Sequence, residues 1–383
     1  MSNDPLATAI ATATEAGLVH VSDTIAGIRR VRQGAAFAYV GADGRSVTDE
    51  RVLLRIAQLA IPPAYEDVWI CKNPSGHLQA TGRDARGRKQ YRYHAKWRVA
   101  RDDSKFGRMV AFGEALPRLR RRLGRDLALR GLPRDKVLAI IVSILDATRV
   151  RIGNAEYARS NSSYGLTTLR NRHVHFIRDG LMLLKFRGKG GAEHEIPVDD
   201  KNLVRLVRRC HQLPGQHLFQ YVDDAGDRRQ IDSDQVNVYL KEAMGDDFTA
   251  KDFRTWGATL RAITILRSLP LPNPSSDRAF SACIADTVKQ VAVDLRNTPT
   301  VCRKAYINPV VFEAWKTGAL HRIMGTSARG SARKAEVPAL GLLRRYSGAV
   351  PSRSGRKTDA GLTPMPIGRR TVPVNNAASC ATA

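Results

Sequence analysis

The sequence predicts an α+β fold, with a small β-rich N-terminal domain followed by a larger, mainly helical domain that contains a three-stranded sheet. Three observations carry that prediction. Short alternating runs punctuated by Gly, Asp, Asn and Pro fill residues 26–100. Beyond about residue 100 the apolar residues recur at helical spacing. Three apolar and β-branched runs interrupt the helices between 166 and 198.

In chain order, 36–40 reads as a strand and Gly41, Ala42, Asp43 and Gly44 supply hairpin chemistry. Thr48 is a candidate helix cap; Asp49 and Glu50 suit the positive end of the dipole, and Pro62 with Pro63 ends the helix predicted over 49–60. A second hairpin follows, 68–72 and 77–81 joined by Asn73, Pro74, Ser75 and Gly76. A basic stretch spans 83–98, and helices begin around 104–123, which sets a boundary near residue 100. Pro133 opens a helix whose residues 137–145 form the strongest apolar run, far short of the roughly 20 residues that a membrane span needs. Strands are expected over 166–177, 181–187 and 192–198, with Asp179 and Gly180 at one turn. Helices are expected over 235–244, 255–267, 277–295 and 310–323. From about Gly325 the composition turns to Gly, Ser, Ala, Arg, Lys and Pro, and a flexible basic tail is expected. The resulting domains are an extension at 1–25, a β-rich domain at 26–100, a second domain at 101–324 and the tail at 325–383.

Lys plus Arg number 62 against 36 Asp plus Glu, a formal charge of +26. Such a surplus calls for a polyanionic partner, and nucleic acid fits because neutralised phosphates release condensed counterions. Charge alone does not indicate catalysis. The cysteines at 71, 210, 283, 302 and 380 lack CxxC or metal-ligand spacing and read as reduced thiols. The N-terminus has no basic region followed by an apolar core, so a soluble, intracellular protein is expected.

The run Arg303, Lys304, Ala305, Tyr306, Ile307, Asn308, Pro309 sets one tyrosine among cations. A phenol of ordinary pKa about 10 needs nearby positive charge to react as an oxyanion. Arg151 and Arg254 could each offer a fork of donors to a phosphodiester, although an arbitrary arginine more often pairs with a carboxylate or a helix end. Lys189 lies among Gly188, Gly190 and Gly191 between two strands, where an ammonium projects from a hairpin tip and could protonate a leaving 5′ oxygen, although in isolation such a residue is more often a solvated turn lysine. Between 83 and 98, Arg83, Arg86, Arg88, Lys89, Arg92, Lys96 and Arg98 interleave with Tyr91, Tyr93, His94 and Trp97, and Gln90 can read an adenine edge or touch a phosphate. The bland alternative is a solvated basic loop anchored by its aromatics. His173 and His175 could share a strand face, but no third ligand is suggested. GxxxxGK followed by Ser or Thr is absent, as is any carboxylate cluster suited to two metals.

Taken in order, GRKQYRY at 87–93, RVRIGNAEYA at 149–158, YGLTTLRNRHV at 164–174, FRGKG at 186–190, KDFRTWG at 251–257 and TPTVCRKAY at 298–306 closely resemble type IB DNA topoisomerases, specifically the poxvirus-like branch and its bacterial members. The resemblance runs from about 27 to 320. It implies Tyr306 as nucleophile, Arg151 and Arg254 on the scissile phosphate, Lys189 as general acid, and DNA contacts from Arg88, Lys89, Gln90, Tyr91, Tyr93 and Lys251. Asn297 stands where viral relatives carry a histidine; its amide can still donate to a phosphoryl oxygen. The resemblance further implies a monomeric C-shaped clamp on duplex DNA, preferentially supercoiled, in the cytoplasm with the nucleoid. Relaxation through a 3′-phosphotyrosyl link would need neither ATP nor metal. Two other readings stay open: a tyrosine recombinase, whose usual histidine three residues before the second arginine is here Lys251, and a non-catalytic DNA-binding protein.

Overall fold

Ile28–Gln33 (β1) and Ala36–Val40 (β2) open a five-stranded antiparallel sheet that Glu66–Ile70 (β3), Leu78–Arg83 (β4) and Lys89–Tyr93 (β5) complete in the order β2-β1-β3-β4-β5. The computed structural model describes residues 5–34, 36–85, 87–178, 180–245, 248–272, 276–325 and 332–347. Glu50–Gln58 forms a helix laid on this sheet, and its Ile56 meets Ile28, Val68, Ile70 and Ala80 in a small core. The cap of that helix is Asp49, not Thr48: its carboxylate accepts from the backbone N–H groups of Arg51 and Val52 at 2.8 and 3.3 Å. The turn at 41–44 closes only a short reversal onto Ser46, because β2 pairs with β1 instead.

Three boundaries differ from the sequence expectation at this end. Residues 1–25 are more than an extension, since Pro5–Glu15 (α1) is a helix and Ala13 and Leu18 pack with Trp97. Part of the basic stretch is strand β5, paired along β4 from Leu78↔Tyr93 to Arg83↔Lys89. The helix Ala95–Leu127 (α3, with Glu50–Gln58 counted as α2) runs for 33 residues straight across the boundary expected at 100.

The larger part is built around Arg134–Thr148 (α4), which is buried on all sides. A helix apolar all round belongs at the centre of a bundle. Against it pack α3, Lys201–His211 (α6), Ser233–Met244 (α7) and Ala250–Ser268 (α8); Ala155–Asn161 (α5) follows it in the chain, and Asp277–Asp294 (α9), packed on α8, carries Pro299–Ala305 (α10). Val174–Arg178 (β6), Leu181–Arg187 (β7) and Glu193–Val198 (β8) make the expected three-stranded antiparallel sheet, and Gln220–Val222 (β9) pairs with Arg228–Gln230 (β10). The strand expected over 166–177 begins only at Val174. Ahead of it are two 3₁₀ turns, where Thr168 Oγ1 accepts from Gly165 N and His173 Nδ1 accepts from Arg170 N. Such local side-chain bonds compete with a strand ladder. They also part His173 from His175: the first is buried in the turn, and only the second lies on β6.

The helix expected over 310–323 is two, Val310–Lys316 (α11) and Ala319–Met324 (α12), divided by Gly318 at φ +69°. The tail expected from Gly325 contains a further helix, Ala332–Ser347 (α13). Ala335, Ala339, Leu342 and Leu343 are buried, and Glu336 forms a two-armed pair with Arg120 at 2.6 and 2.8 Å. The rest of that expected tail, 326–331 and 348–383, lies outside the described residues, as do Asp179 and Arg86. Cys71, Cys210, Cys283 and Cys302 are free thiols. Among the described residues no helix is long and apolar enough to cross a membrane.

Candidate active site

Tyr306 is the residue that ends α10. Thr298 caps this helix and Pro299 sits in its first turn, where a missing N–H costs nothing. Thr259 of α8, fully buried, pins the tyrosine from both sides: its hydroxyl donates to the Tyr306 carbonyl at 3.2 Å and accepts from Asn308 N at 3.1 Å. The ring is half-buried, with the Arg254 guanidinium 5.1 Å from its centroid.

Arg254 projects from the second turn of α8 and is only 4% exposed. Its two Nη groups donate to the carbonyls of Arg149 and Leu295, the latter at 3.0 Å. Those residues terminate α4 and α9, so one guanidinium closes two helix C-termini, where cations are favoured. The helix-end role and the position beside the phenol belong to the same side chain. Its Nε is buried without a protein partner.

Arg151 follows α4 by way of Arg149, which takes a left-handed turn at φ +58°. The loop is fastened to the segment after α5: Leu166 N donates to the Arg151 carbonyl at 3.0 Å and Thr167 N to that of Ile152 at 2.7 Å. The fit leaves no room for a side chain at Gly165, whose Cβ would stand 2.6 Å from the Arg151 carbonyl oxygen. Burial and the neighbouring Arg254 charge lower the Arg151 pKa, against the opposing pull of Tyr306.

The phenol feels two opposing effects. Burial pushes its pKa up, but the nearby positive charge of Arg254, then of Arg151 and Lys251, outweighs that, leaving it below the ordinary tyrosine value. The structure therefore gathers Tyr306, Arg254, Arg151 and Lys251. Asn297 lies two residues beyond Leu295; its Oδ1 accepts from Thr298 N at 3.1 Å, while its Nδ2 is buried without a partner. Buried donors with nothing to bond to are uncommon in folded proteins. Here Arg254 Nε and Asn297 Nδ2 are both donors waiting for an acceptor.

Lys189 stands apart from this group. It is exposed at the tip of the β7–β8 hairpin, in a turn held by Gly188 N to Ala192 O at 2.7 Å, with Gly190 and Gly191 at φ +77° and +82°. It is not among the charges that act most strongly on Tyr306.

The residues expected to grip DNA line β5 and the turn before it. Tyr91 is 49% exposed and stacks on Tyr93 at 6.0 Å, with the Lys89 ammonium 5.7 Å from the Tyr91 ring. Two carboxylates that sequence reasoning missed hold this strand. Asp84 accepts from Arg88 Nε at 2.9 Å and from Gln90 Nε2 at 3.0 Å, and Asp23 pairs with Lys89 at 2.5 Å. Part of the basic run does serve the fold: Trp97 is buried, and Arg92 and Arg98 donate to the carbonyls of Ala60 and Tyr93. A cavity lined by Tyr93, Trp97 and Arg98 on one side and Lys304 and Ala305 on the other brings this region against α10, the helix that ends at Tyr306.

Also missed were Arg149, whose side chain crosses α8 where Gly257 leaves room, and the pin at Thr259. The glycine of KDFRTWG was the one available signal. A Cβ on it would fall 1.9 Å from Arg149 Nε.

A phenol lowered by nearby cations, beside a buried guanidinium whose Nε has no protein partner, fits an enzyme that attacks phosphodiesters through tyrosine. Residues 94–318 match the family described as "Eukaryotic DNA topoisomerase I, catalytic core", and residues 36–84 that described as "Bacterial DNA topoisomerase IB, N-terminal domain". The chain is 32% identical over 295 residues to DNA topoisomerase 1B of Acanthamoeba polyphaga mimivirus, covering 76% of this chain and 88% of that one. It is 26% identical over 265 residues to DNA topoisomerase 1B of Vaccinia virus (strain Copenhagen), covering 66% and 76%. With DNA topoisomerase 1 of Rabbit fibroma virus (strain Kasza) it shares 24% over 310 residues, 73% and 88% of the two chains. The chain belongs to the type IB DNA topoisomerases, in the poxvirus-like branch.

Proposed function

We propose that this enzyme relaxes duplex DNA, preferentially supercoiled, by breaking and resealing one strand through Tyr306. The single observation that carries the reading is the half-buried Tyr306 ring at the end of α10 with the buried guanidinium of Arg254 5.1 Å from its centroid. The phenolic oxygen attacks a phosphodiester and the bond to the 5′ oxygen breaks, leaving a 3′-phosphotyrosyl link and a 5′ hydroxyl. Arg151, Arg254 through Nε, and Asn297 through Nδ2 donate to the phosphoryl oxygens as charge develops there. Lys189 supplies the proton to the leaving oxygen, a role worth about 10²–10⁴ in rate. Rotation of the free strand end releases supercoils, and the 5′ hydroxyl then attacks back. One phosphodiester replaces another of similar energy, so the cycle needs neither nucleotide hydrolysis nor an essential metal.

In this reading Arg88, Lys89, Gln90, Tyr91 and Tyr93 meet the duplex from one side and the catalytic part from the other, as a monomeric C-shaped clamp working in the cytoplasm with the nucleoid. Six to ten phosphate contacts would lower affinity by about 10³–10⁵ between 50 and 200 mM salt. The deciding experiment incubates supercoiled plasmid with wild type and Tyr306→Phe, in chelator and without nucleotide. Wild type should relax the plasmid and form a denaturant-resistant adduct. Tyr306→Phe should do neither while still binding DNA, and relaxation by that variant would remove Tyr306 from the mechanism.

A further inference from the structure

His194 of β8 pairs across the sheet with Phe186 and stacks on its ring, centroids 4.8 Å apart and planes 6° from parallel. The imidazole is 4% exposed, and neither nitrogen has a hydrogen-bond partner. Its other side touches Gly188, the residue before Lys189: a Cβ built there would lie 2.4 Å from Nε2 and 2.6 Å from Cδ2. Gly188 has φ −100°, which any residue adopts, so this glycine is needed for space and not for conformation. That separates it from Gly190 and Gly191, whose positive φ values make the turn itself.

We propose that His194 is a positioning residue for Lys189: its ring is a wedge between Phe186 and Gly188 that sets the direction in which the hairpin tip carries the ammonium. A polar ring buried without partners is a poor choice for packing alone. Its environment keeps it uncharged, since burial and then the charges of Arg296, Arg151 and Arg254 bring its pKa down to about 4. A neutral ring can occupy this cationic corner without repelling Lys189. The same corner is tied to the phosphate-side loop, because Arg296 donates to the carbonyl of Glu195, next to His194.

The inference rests on Lys189 as general acid, and one chemical substitution separates the two. During cleavage the Tyr306 phenol gives its proton to solvent as its oxygen bonds to phosphorus, the bond from phosphorus to the 5′ oxygen breaks, and that oxygen takes a proton from Lys189 Nζ, which is re-protonated from solvent. With sulfur in the bridging position the leaving group is a thiolate, whose parent thiol has a pKa of about 8.5, and no acid is required. Single-turnover cleavage of oxygen- and sulfur-bridged duplexes would be compared for wild type, Lys189→Ala, His194→Ala, Gly188→Ala and the double variant His194→Ala with Gly188→Ala. On the oxygen substrate we expect His194→Ala and Gly188→Ala each to be slower by about 10- to 100-fold, within the range open to a general acid. The sulfur substrate should restore both to within a few-fold of wild type, as it restores Lys189→Ala. The double variant should recover most of the loss of Gly188→Ala, since the added methyl then enters the space left by the ring. If His194→Ala fails to fold, Gly188→Ala tests the same contact from its other side. Variants equally slow on both substrates, beside a rescued Lys189→Ala, would overturn the positioning role and leave Lys189 in place. A Lys189→Ala enzyme that sulfur does not rescue would remove the general acid and this inference with it.

Discussion

Strand β5, with the turn before it, and the pocket of Tyr306 hold most of their cations in opposite ways. At β5 and the turn before it Lys89 pairs with Asp23 and Arg88 with Asp84, which also holds Gln90, while Arg92 alone of these cations is held by a carbonyl, that of Ala60. Around Tyr306 the anchor is neutral, with Arg254 held by the carbonyls of Arg149 and Leu295. The nearest carboxylate in sequence, Asp252, is turned away to bond Thr249 at the start of α8. A carboxylate partner orients a cation and cancels its field, which suits a surface that must let DNA come and go. A carbonyl partner orients the cation and leaves most of its charge to act on a phenol or a phosphate.

The contrast can be broken most severely at Arg254. Arg254→Ala removes charged bonds worth about 1.5–3 kcal/mol each from two helix ends. It also takes away a phosphate donor of the kind whose loss costs about 10²–10³ in rate. We expect a clear fall in melting temperature and loss of adduct formation together. Lys251→Ala should separate the two effects, because Lys251 is exposed and acts on Tyr306 through charge. Removing it lets the phenol rise toward its ordinary value, so cleavage at neutral pH should slow, by up to about tenfold for each unit of rise, and the rate–pH curve should move to higher pH. An unmoved curve with an unchanged melting point would mean that Lys251 touches only DNA.

In the proposed mechanism Asn297 is a neutral donor to the same phosphate. Asn297→Ala should cost a hydrogen bond of about 0.5–1.5 kcal/mol, a loss of about 2- to 12-fold in cleavage. Asn297→His should be tolerated, and a dead enzyme would show that the position is not an interchangeable donor. Asp84→Ala probes the other half of the comparison and should have the least effect on rate. Freed from its carboxylate, Arg88 can neutralise one more phosphate, steepening the dependence of log affinity on log salt by about 0.9. An unchanged slope would mean that Asp84 does not restrain Arg88.

The sequence made the chemistry of the pocket more legible than its framework. Tyr306, Arg151 and Arg254 lie in short motifs whose residue types suit phosphate chemistry, and the fold gathers them. The part played by Lys251 at Tyr306 and the pin at Thr259 were hidden because each arises from packing between elements distant in the chain, and the wedge at His194 because it depends on which face of its own hairpin the ring takes. Strand β5 reads as a loop because Lys89, Gln90, Tyr91, Arg92 and Tyr93 are polar or amphipathic on both faces, as an exposed edge strand can be. Helix α13 was lost in an average: the composition around it is tail-like, yet Ala335, Ala339, Leu342 and Leu343 fall at intervals of four, three and one, a single helical stripe. The strand expected at 166–173 failed for the opposite reason, since Thr168 and His173 satisfy the backbone locally.

The long helix α3 has a mechanical consequence. Its 33 residues, at 1.5 Å each, make a rod of about 50 Å that begins at the strand bearing Tyr91 and Tyr93 and reaches into the bundle. Part-way along, Gly113 lets Trp256 of α8 approach so closely that a methyl there would sit 2.7 Å from the indole. One turn further, Pro117 cannot donate to the Gly113 carbonyl. The rod thus lacks a backbone hydrogen bond close to where it bears on the helix that carries Arg254, so a force applied at its β5 end would be passed to the foot of the pocket of Tyr306.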